Sequence, residues 1–379
     1  MRLIHLTSAG GWGGREMYPP ILAAAQRNTT GHEVSLVAKR STPLAGYLAE
    51  TGLDYDILPV GPYLDPVAAW RLAHVLEKRR PEIIHVHLSR DLILVNLACT
   101  IARLNPAVIL HKHIASAGNK RDIIHRYLYS RLSAVVAVSD YVRTSLIASC
   151  PLDPGKIKVV FCGLDTERFA HRLEGGKRNH RAAAMRAKLG APDEHTVLAA
   201  VVGRLERRKG QEFFLQAAAV LAQKAPSLRF AVIGAPEGDY GRRLEQMAAE
   251  LGIEKKVFFS GHMKDAAGIF AAVDILVVPS IEEAFGLVAA EGMSAGIPVV
   301  AFRSGALPEF ISHGETGLLV PPGDTDALAG ALESLSRDHE ARLELGAAAR
   351  EWVVSNLSME KILRDIDRLY AECLGRHGG

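Results

Sequence analysis

Ile275-Leu-Val-Val-Pro-Ser280, then Glu283-Ala-Phe-Gly-Leu-Val-Ala-Ala-Glu291, then Gly292-Met-Ser-Ala-Gly-Ile-Pro298 is the stretch that decides how this chain is read. An apolar run of strand length passes through a short polar connection into a helix-like segment bracketed by two carboxylates. Strand, loop and helix predict a βα unit, with Glu283 before the helix and Glu291 two turns inside it. Between them the amides of Phe285, Gly286, Leu287 and Val288 are expected to have no intrahelical partner. Together with the positive end of the helix they make an anion site. Each glutamate can hold the hydroxyls of a polyol. A ligand with hydroxyls at both ends and phosphate in the middle, the shape of a nucleotide sugar, satisfies all of these groups.

Outward from this stretch, short apolar runs alternate with helix-period segments. In the first half the strand candidates are Leu3-Leu6, Val34-Ala38, Ile83-His87, Val108-His113, Val135-Val138 and Ile157-Phe161. In the second they are Val197-Val202, Arg229-Ile233, Val257-Phe259, Ile275-Val278, Val299-Phe302 and Gly317-Val320. Near-continuous Val/Ile/Leu strands fit parallel sheets covered on both faces. The expected fold is α/β: two Rossmann-like βαβ domains facing across a cleft, with ligands at the carboxyl ends of strands. The expected first domain is 1–170. The polar, basic stretch 171–195 reads as linker or exposed loop, 196–356 as the second domain, and 357–379 as a terminal helical segment. Amphipathic helices are expected over Asp326-Ser336, His339-Val353 and Met359-Leu374.

The chain has 379 residues, 48% hydrophobic and 23% charged, an ordinary profile for a folded protein of two domains. No apolar run reaches the roughly 20 residues needed to span a bilayer, and Met1 to Leu6 is too short for a signal peptide. The four cysteines show no metal or redox spacing, so a reduced, cytoplasmic protein is expected. A net charge of +3 argues for no nucleic-acid partner. The cations are uneven: Lys120, Arg121, Arg126, Arg131 and Arg143 form a basic face, read as solvated surface or as contact with anionic lipid or an acidic acceptor.

Two further loops carry chemistry. After the first strand, Ala9-Gly-Gly-Trp-Gly-Gly-Arg-Glu16 is a glycine-rich turn in which Gly14 can approach a phosphate. Pro19-Pro20 sits where a helix would continue, so that helix is expected to begin near Tyr18 or to be irregular. After Val202, the loop Gly203-Arg-Leu-Glu-Arg-Arg-Lys-Gly210 offers Arg204 and Lys209 to a diphosphate, while Glu206, Arg207 and Arg208 read as surface charge. Histidines pair at two strand ends, His85/His87 and His111/His113, each pair on one strand face. No carboxylate or cysteine pattern accompanies them, and no metal is expected.

Glu283 and Glu291 also test a hydrolytic reading. Glycosidase carboxyls lie about 5–9.5 Å apart, whereas helix residues eight apart are separated by about 12 Å along the axis. The pair suits the two ends of one donor instead.

Taken together, these residues closely resemble the retaining GT-B glycosyltransferases of family 4. The resemblance is carried by Gly13-Gly14, His85-Val-His87, Lys112-His113, Gly163-Leu-Asp165, Gly203-Arg204, Lys209-Gly210, Asp274, Pro279-Ser280, Glu283 to Glu291, Gly305, Pro308-Glu309 and Gly314 to Asp324. It implies a last helix packed back on the first domain. It implies that Arg204 and Lys209 hold the donor diphosphate, that Glu283 contacts sugar hydroxyls and Glu291 the ribose. Phe285 to Val288 would supply amides, Gly14 would approach the donor, Met263 would lie at the base, and His113, with His111 as alternative, would contact the sugar. The implied reaction is metal-independent hexosyl transfer with retention, without cofactor. A UDP-sugar is the first-ranked donor; a cell-envelope polysaccharide, lipopolysaccharide or lipid-linked glycan would be the acceptor, at the inner membrane face. Cys162 departs from the family's usual asparagine before Gly163. The other readings are a nucleotide-sugar-binding protein without transferase activity and a GT-B-like epimerase.

Overall fold

The computed structural model describes residues 1–377 apart from 12, 62–64, 117, 171, 172, 175, 176, 179, 192 and 194. The backbone divides into two units, Met1–Gly163 with Met359–Gly379, and Leu164–Ser358. Each has its own parallel sheet.

In the first unit β1 (Arg2–Thr7), β2 (Glu33–Lys39), β3 (Asp54–Leu58), β4 (Ile83–Val86), β5 (Ala107–Lys112), β6 (Ala134–Ala137) and β7 (Ile157–Val159) lie in the order β3-β2-β1-β4-β5-β6-β7. The order reverses at β1, which pairs in parallel with both β2 and β4. Helices α1 (Gly14–Thr29), α2 (Pro43–Thr51), α3 (Pro66–Arg79), α4 (Asp91–Ala102), α5 (Ile123–Ser130) and α6 (Asp140–Ser149) connect the strands. Several start on a side-chain cap: Thr42 accepts from the Ala45 amide, Asp65 from Ala68 and Ser139 from Val142. The run Ile83–Val86 is buried throughout, as a strand covered on both faces requires.

The second unit opens with a hairpin, β8 (Leu173–Glu174) and β9 (Lys177–Arg178), and helix α7 (His180–Lys188). Regular structure therefore occupies part of the stretch read as a linker. α7 is tied down by Arg186, whose guanidinium donates to the Asp274 carboxylate at 2.8 Å and to carbonyls of Ala272 and Thr196. Residues 171, 172, 175, 176, 179, 192 and 194 of the stretch expected to be a linker lie outside the described residues, as does Trp12 of the glycine-rich turn.

The second sheet is β12-β11-β10-β13-β14-β15, with β10 (Val197–Val202), β11 (Leu228–Ile233), β12 (Val257–Gly261), β13 (Ile275–Val278), β14 (Val299–Phe302) and β15 (Leu318–Val320). It reverses at β10, which pairs in parallel with β11 and β13. Helices α8 (Gln211–Lys224), α9 (Tyr240–Glu250), α10 (Ala266–Ala272), α11 (Leu287–Ser294), α12 (Thr325–Arg337) and α13 (His339–Leu357) complete the unit. Phe214, Leu221, Phe230, Ile275 and Phe302 fill its core. Asp324 caps α12 by accepting from the Ala327 amide at 2.8 Å. The last helix, α14 (Met359–His377), belongs to the first unit, as expected, and buries Ile366 and Tyr370 there.

Helix α1 departs from expectation. It starts at Gly14 and runs through both prolines. Pro19 and Pro20 each forfeit an amide bond to the preceding turn, but the helix holds its place because Tyr18, Leu22 and Ala23 are buried. Strand β3 was not foreseen. Its sequence, Asp-Tyr-Asp-Ile-Leu, has no apolar run; Arg79 bridges Asp54 and Asp56 along this edge strand.

Candidate functional site

In the second unit the loops after β10 and β13, the two strands at the reversal, converge. Lys209 closes a short 3-10 turn, Arg207–Lys209, and Gly210 follows with φ 69°. A Cβ on Gly210 would stand 1.9 Å from the Pro279 carbonyl oxygen, so only glycine lets this loop lie against the end of β13. That approach brings Lys209 Nζ to 2.5 Å from Glu283 Oε1. Ser280 Oγ donates to the same oxygen at 2.9 Å. Glu283 is thus a buried carboxylate with two donors, an ammonium and a hydroxyl.

The backbone of Glu283 is held as tightly. Its carbonyl accepts from the Ala306 amide at 2.9 Å. Gly305, at φ 53°, passes so close that a Cβ there would lie 2.1 Å from that carbonyl oxygen and 2.7 Å from the Glu283 nitrogen. The Ser304 hydroxyl donates to the Ser280 carbonyl at 2.6 Å. The loop after β14 therefore braces the loop after β13.

Helix α11 begins at Leu287, with Gly286 as its cap at φ 95°. Of the four residues expected to offer amides at the helix start, Leu287 and Val288 lie in the first turn, and Phe285 and Gly286 precede it. The left-handed φ of the Gly286 cap delays the helix by two residues, and the Leu307 side chain, 2.7 Å from where a Cβ would be, keeps that position a glycine. The Phe285 ring is buried against Phe310 at 5.4 Å between centroids, which gives it a packing role. Because the helix starts late, Glu291 sits one turn inside it rather than the two expected, and is half-buried. Burial pushes its carboxyl up to about 7, opposed by the cation of Arg168.

Arg204 is exposed at the end of β10, and its carbonyl accepts from Gln211. Met263 is half-buried in the loop after β12. Glu206, read as surface charge, is largely covered and pairs with Arg208 at 3.0 Å. Ser280, Ser304 and Gln211 had no role in the sequence reading; the serine after Pro279 and the glycine at 305 were the signals available.

In the first unit the residues singled out meet at another reversal. His5 on β1, His85 on β4 and His111 on β5 share one sheet face, with His87 and His113 just beyond their strands. Rings stack: His85 on His87 at 4.8 Å and 2°, His111 on His113 at 4.3 Å and 14°. Their nitrogens are linked. His5 Nε2 meets Gln26 Oε1 at 2.7 Å and His5 Nδ1 meets His87 Nε2 at 3.0 Å. His87 Nδ1 meets His113 Nε2 at 3.1 Å. Tyr370 Oη meets His85 Nδ1 at 2.5 Å, and His85 Nε2 meets His111 Nδ1 at 3.1 Å. Ligand nitrogens of His85, His87 and His111 lie within 4.8 Å of one another, near enough to share an ion. The trio holds no carboxylate or thiolate to offset a buried divalent charge, and the same nitrogens bond to each other. Gly14 opens α1 with an exposed backbone. The Cys162 thiol is buried and burial raises its pKa, consistent with packing rather than reactivity.

Comparison with known proteins places this geometry. The profile of the glycosyl transferases group 1 matches residues 181–352, and that of glycosyltransferase family 4 matches residues 12–168. The D-inositol 3-phosphate glycosyltransferase of Corynebacterium efficiens is 30% identical over 375 residues, 90% of this chain and 86% of that protein. The protein of the same name from Corynebacterium glutamicum is 36% identical over 226 residues, a match spanning 56% of this chain and about half (52%) of the relative. Among solved structures, a glycosyltransferase from Rickettsia africae superposes with a TM-score of 0.86 at 22% identity, covering 98% of each chain. Anabaena HepE in complex with UDP and glucose gives 0.82 at 21% identity, covering 98% of this chain and 99% of that one. These neighbours show the GT-B fold. Profile, full-length relatives and fold agree, and the chain belongs to the group 1 glycosyltransferases.

Proposed function

We propose that this protein transfers a sugar, with retention of anomeric configuration, from a nucleoside diphosphate sugar to a hydroxyl acceptor. One observation carries the reading: Lys209 and Glu283, 74 residues apart, converge at hydrogen-bond distance beside the start of α11. A cation, a carboxylate and first-turn amides together match a donor that carries phosphate beside sugar hydroxyls. Glu291, inside the helix, would take the ribose.

In the reaction the bond from the anomeric carbon to the phosphate oxygen breaks and the acceptor oxygen bonds to the same face of that carbon. The acceptor's proton passes to the departing phosphate oxygen. Arg204 and Lys209 would stabilise the diphosphate as it leaves, with the end of α11 doing the work that an ion does elsewhere. His113 would contact the donor sugar and Gly14 would approach it. No metal or cofactor enters this proposal.

A UDP-sugar is the first choice of donor, and HepE, which shares the fold, binds UDP and glucose. The acceptor is a cell-envelope glycan or a lipid-linked acceptor at the cytoplasmic membrane face. A phosphorylated polyol is the second reading, favoured by the names of the full-length relatives. Among the described residues no helix is long and apolar enough to cross a membrane. Helix α5 supports peripheral contact instead. Ile123, Ile124 and Tyr127 are 83%, 60% and 57% exposed, next to Lys120, Arg121 and Arg126. Apolar side chains beside cations suit an anionic bilayer surface. Sedimentation with anionic vesicles that weakens with salt is expected; none, or salt-insensitive binding, counts against this contact.

The donor is named by a thermal-shift screen against UDP, GDP, ADP and their sugars, since binding raises apparent stability by mass action. Unchanged transfer in both Lys209→Ala and Glu283→Ala would sink the proposal. A donor that binds calorimetrically yet is neither transferred nor hydrolysed would favour a binding protein.

A further inference from the structure

Besides its histidines, the first unit gathers charge at the carboxyl ends of β1, β2 and β4. Ser8, directly after β1, is buried, and so is Asp91 in the first turn of α4. Asp91 Oδ2 accepts from the Ser8 amide at 2.9 Å, and Oδ1 from the Ser8 hydroxyl at 2.5 Å. Both carboxylate oxygens are thus committed to one residue. Arg90 reaches the same serine: its Nε donates to Ser8 Oγ at 3.1 Å and its Nη2 to the Ser8 carbonyl at 2.7 Å. One residue back, Ser89 Oγ accepts at 3.4 Å from Nζ of Lys112, the last residue of β5. The loop after β4 is therefore tied to the ends of both flanking strands.

An exposed arginine ordinarily samples many rotamers. The Arg90 guanidinium is held by two bonds while its side chain stays 57% exposed, and its Nη1 has no partner among the described residues. Its ion pair with Asp91 is long, 4.0 Å, and carries no hydrogen bond. Lys39 closes β2, half-buried, and its ammonium has no bond among the described residues. Burial raises the Asp91 carboxyl; the Ser8 bonds oppose that rise, and so do the charges of Arg90 and Lys39. Both cations therefore stand near this one carboxylate. Two cations against one anion leave positive charge where the strand order reverses, the place at which doubly wound sheets take ligands.

We propose that Arg90 and Lys39 form a phosphate subsite in the first unit, which holds a phosphate group of the acceptor. A pre-oriented guanidinium offers N–H donors to the phosphate oxygens, and a neighbouring ammonium adds a point charge. The donor's diphosphate is matched in the second unit by Arg204, Lys209 and the start of α11, so a phosphate bound here belongs to the other substrate. That assignment rests on the glycosyltransferase reading; the phosphate site itself rests on the first unit alone. It also selects among acceptors. A neutral glycan offers these cations nothing, whereas a phosphorylated polyol and a lipid-linked phosphate both satisfy them. Ser8 and Asp91 are positioning residues: the carboxylate fixes the serine, and the serine oxygens orient the guanidinium.

The test is a phosphorus NMR titration of glycerol phosphate with the full chain. Arg90→Gln should weaken binding about tenfold, the loss of a charge-assisted contact. Lys39→Met, which breaks no side-chain bond of the fold, should weaken it about threefold with an unchanged Tm. Lys209→Ala, which removes a donor-site cation, should leave it within about twofold. No binding, binding that Lys209→Ala abolishes, or equal binding in the parent, Arg90→Gln and Lys39→Met overturns the proposal. Displacement of glycerol phosphate by phosphatidylglycerol vesicles assigns the phosphate to a lipid head group, and no displacement assigns it to a soluble acceptor; the subsite stands in both cases. In transfer assays Arg90→Gln should raise KM for a phosphorylated acceptor about tenfold and leave donor KM within about twofold. The opposite split overturns the acceptor assignment. If no donor supports transfer, the titration still decides the subsite, and only its assignment to an acceptor falls.

Discussion

Gly305→Ala is the sharpest perturbation of the site that leaves every functional side chain chemically unaltered. Position 305 has φ 53°, and an added Cβ would lie 2.1 Å from the Glu283 oxygen and 2.7 Å from its nitrogen, both backbone atoms that no rotamer change can move. The left-handed conformation costs a side-chain-bearing residue about 1–2 kcal/mol. Relieving the overlap costs about 1–3 kcal/mol more, as overpacking does elsewhere. The sum, about 2–5 kcal/mol, lowers Tm by roughly 10 °C for a unit of this size. Opening the contact to an ordinary separation requires Glu283 to move by about 1 Å, and such a misplacement costs about a hundredfold in kcat. Gly314→Ala is the control: its φ is 82° but nothing lies within 4 Å of the added Cβ, so it carries the conformational cost alone. Circular-dichroism melts and initial rates of transfer give both numbers. If Gly305→Ala keeps the parental kcat and melts with Gly314→Ala, the bracing of Glu283 by this glycine is wrong.

Two further outcomes follow from the second unit. Glu291 titrates near 7 because burial disfavours its charge, and ribose hydroxyls bind the carboxylate better than the acid. If only the charged form binds, donor KM should fall about tenfold as the pH rises from about 6 to about 8, and Glu291→Gln should flatten that profile; a flat profile in the unmodified enzyme removes Glu291 from donor binding. Arg186→Met removes the guanidinium from a buried pair whose side chains are only 4% and 7% exposed, leaving the Asp274 carboxylate with the Leu198 amide but without its cation, with an expected loss of about 3–5 kcal/mol in denaturant unfolding. Less than about 1 kcal/mol would mean that α7 is held by its apolar contacts alone.

Most of the parallel-sheet framework was legible because strands covered on both faces are continuous apolar runs, as in Ile83–Val86 and Ile275–Val278. Strand β3 was not, because at a sheet edge Asp54 and Asp56 can face Arg79 and solvent. The α1 boundary was misplaced because local proline chemistry yields to the burial of Tyr18 and Leu22. Glu283, Lys209, Glu291 and the strand-end histidines were visible one by one. Their contacts were not: Lys209 and Glu283 are 74 residues apart, and Gln26 and Tyr370 are 344 apart. The start of α11 was placed two residues early because a left-handed glycine cap looks the same in sequence as a first-turn residue.

The return of α14 has a consequence for biosynthesis. The second unit is one continuous piece, Leu164–Ser358, whereas the first is made of two, separated by all of the second. On the ribosome, Met1–Gly163 emerges first yet is left with His85 and Gln26 lacking the Tyr370 hydroxyl that satisfies both. A buried polar group without its partner costs about 1–3 kcal/mol, so the earlier-made half settles last, after the later-made unit is complete. A nascent chain stalled before residue 370 should therefore show a protease-resistant second unit beside a sensitive first one, the reverse of the order in which they are synthesised.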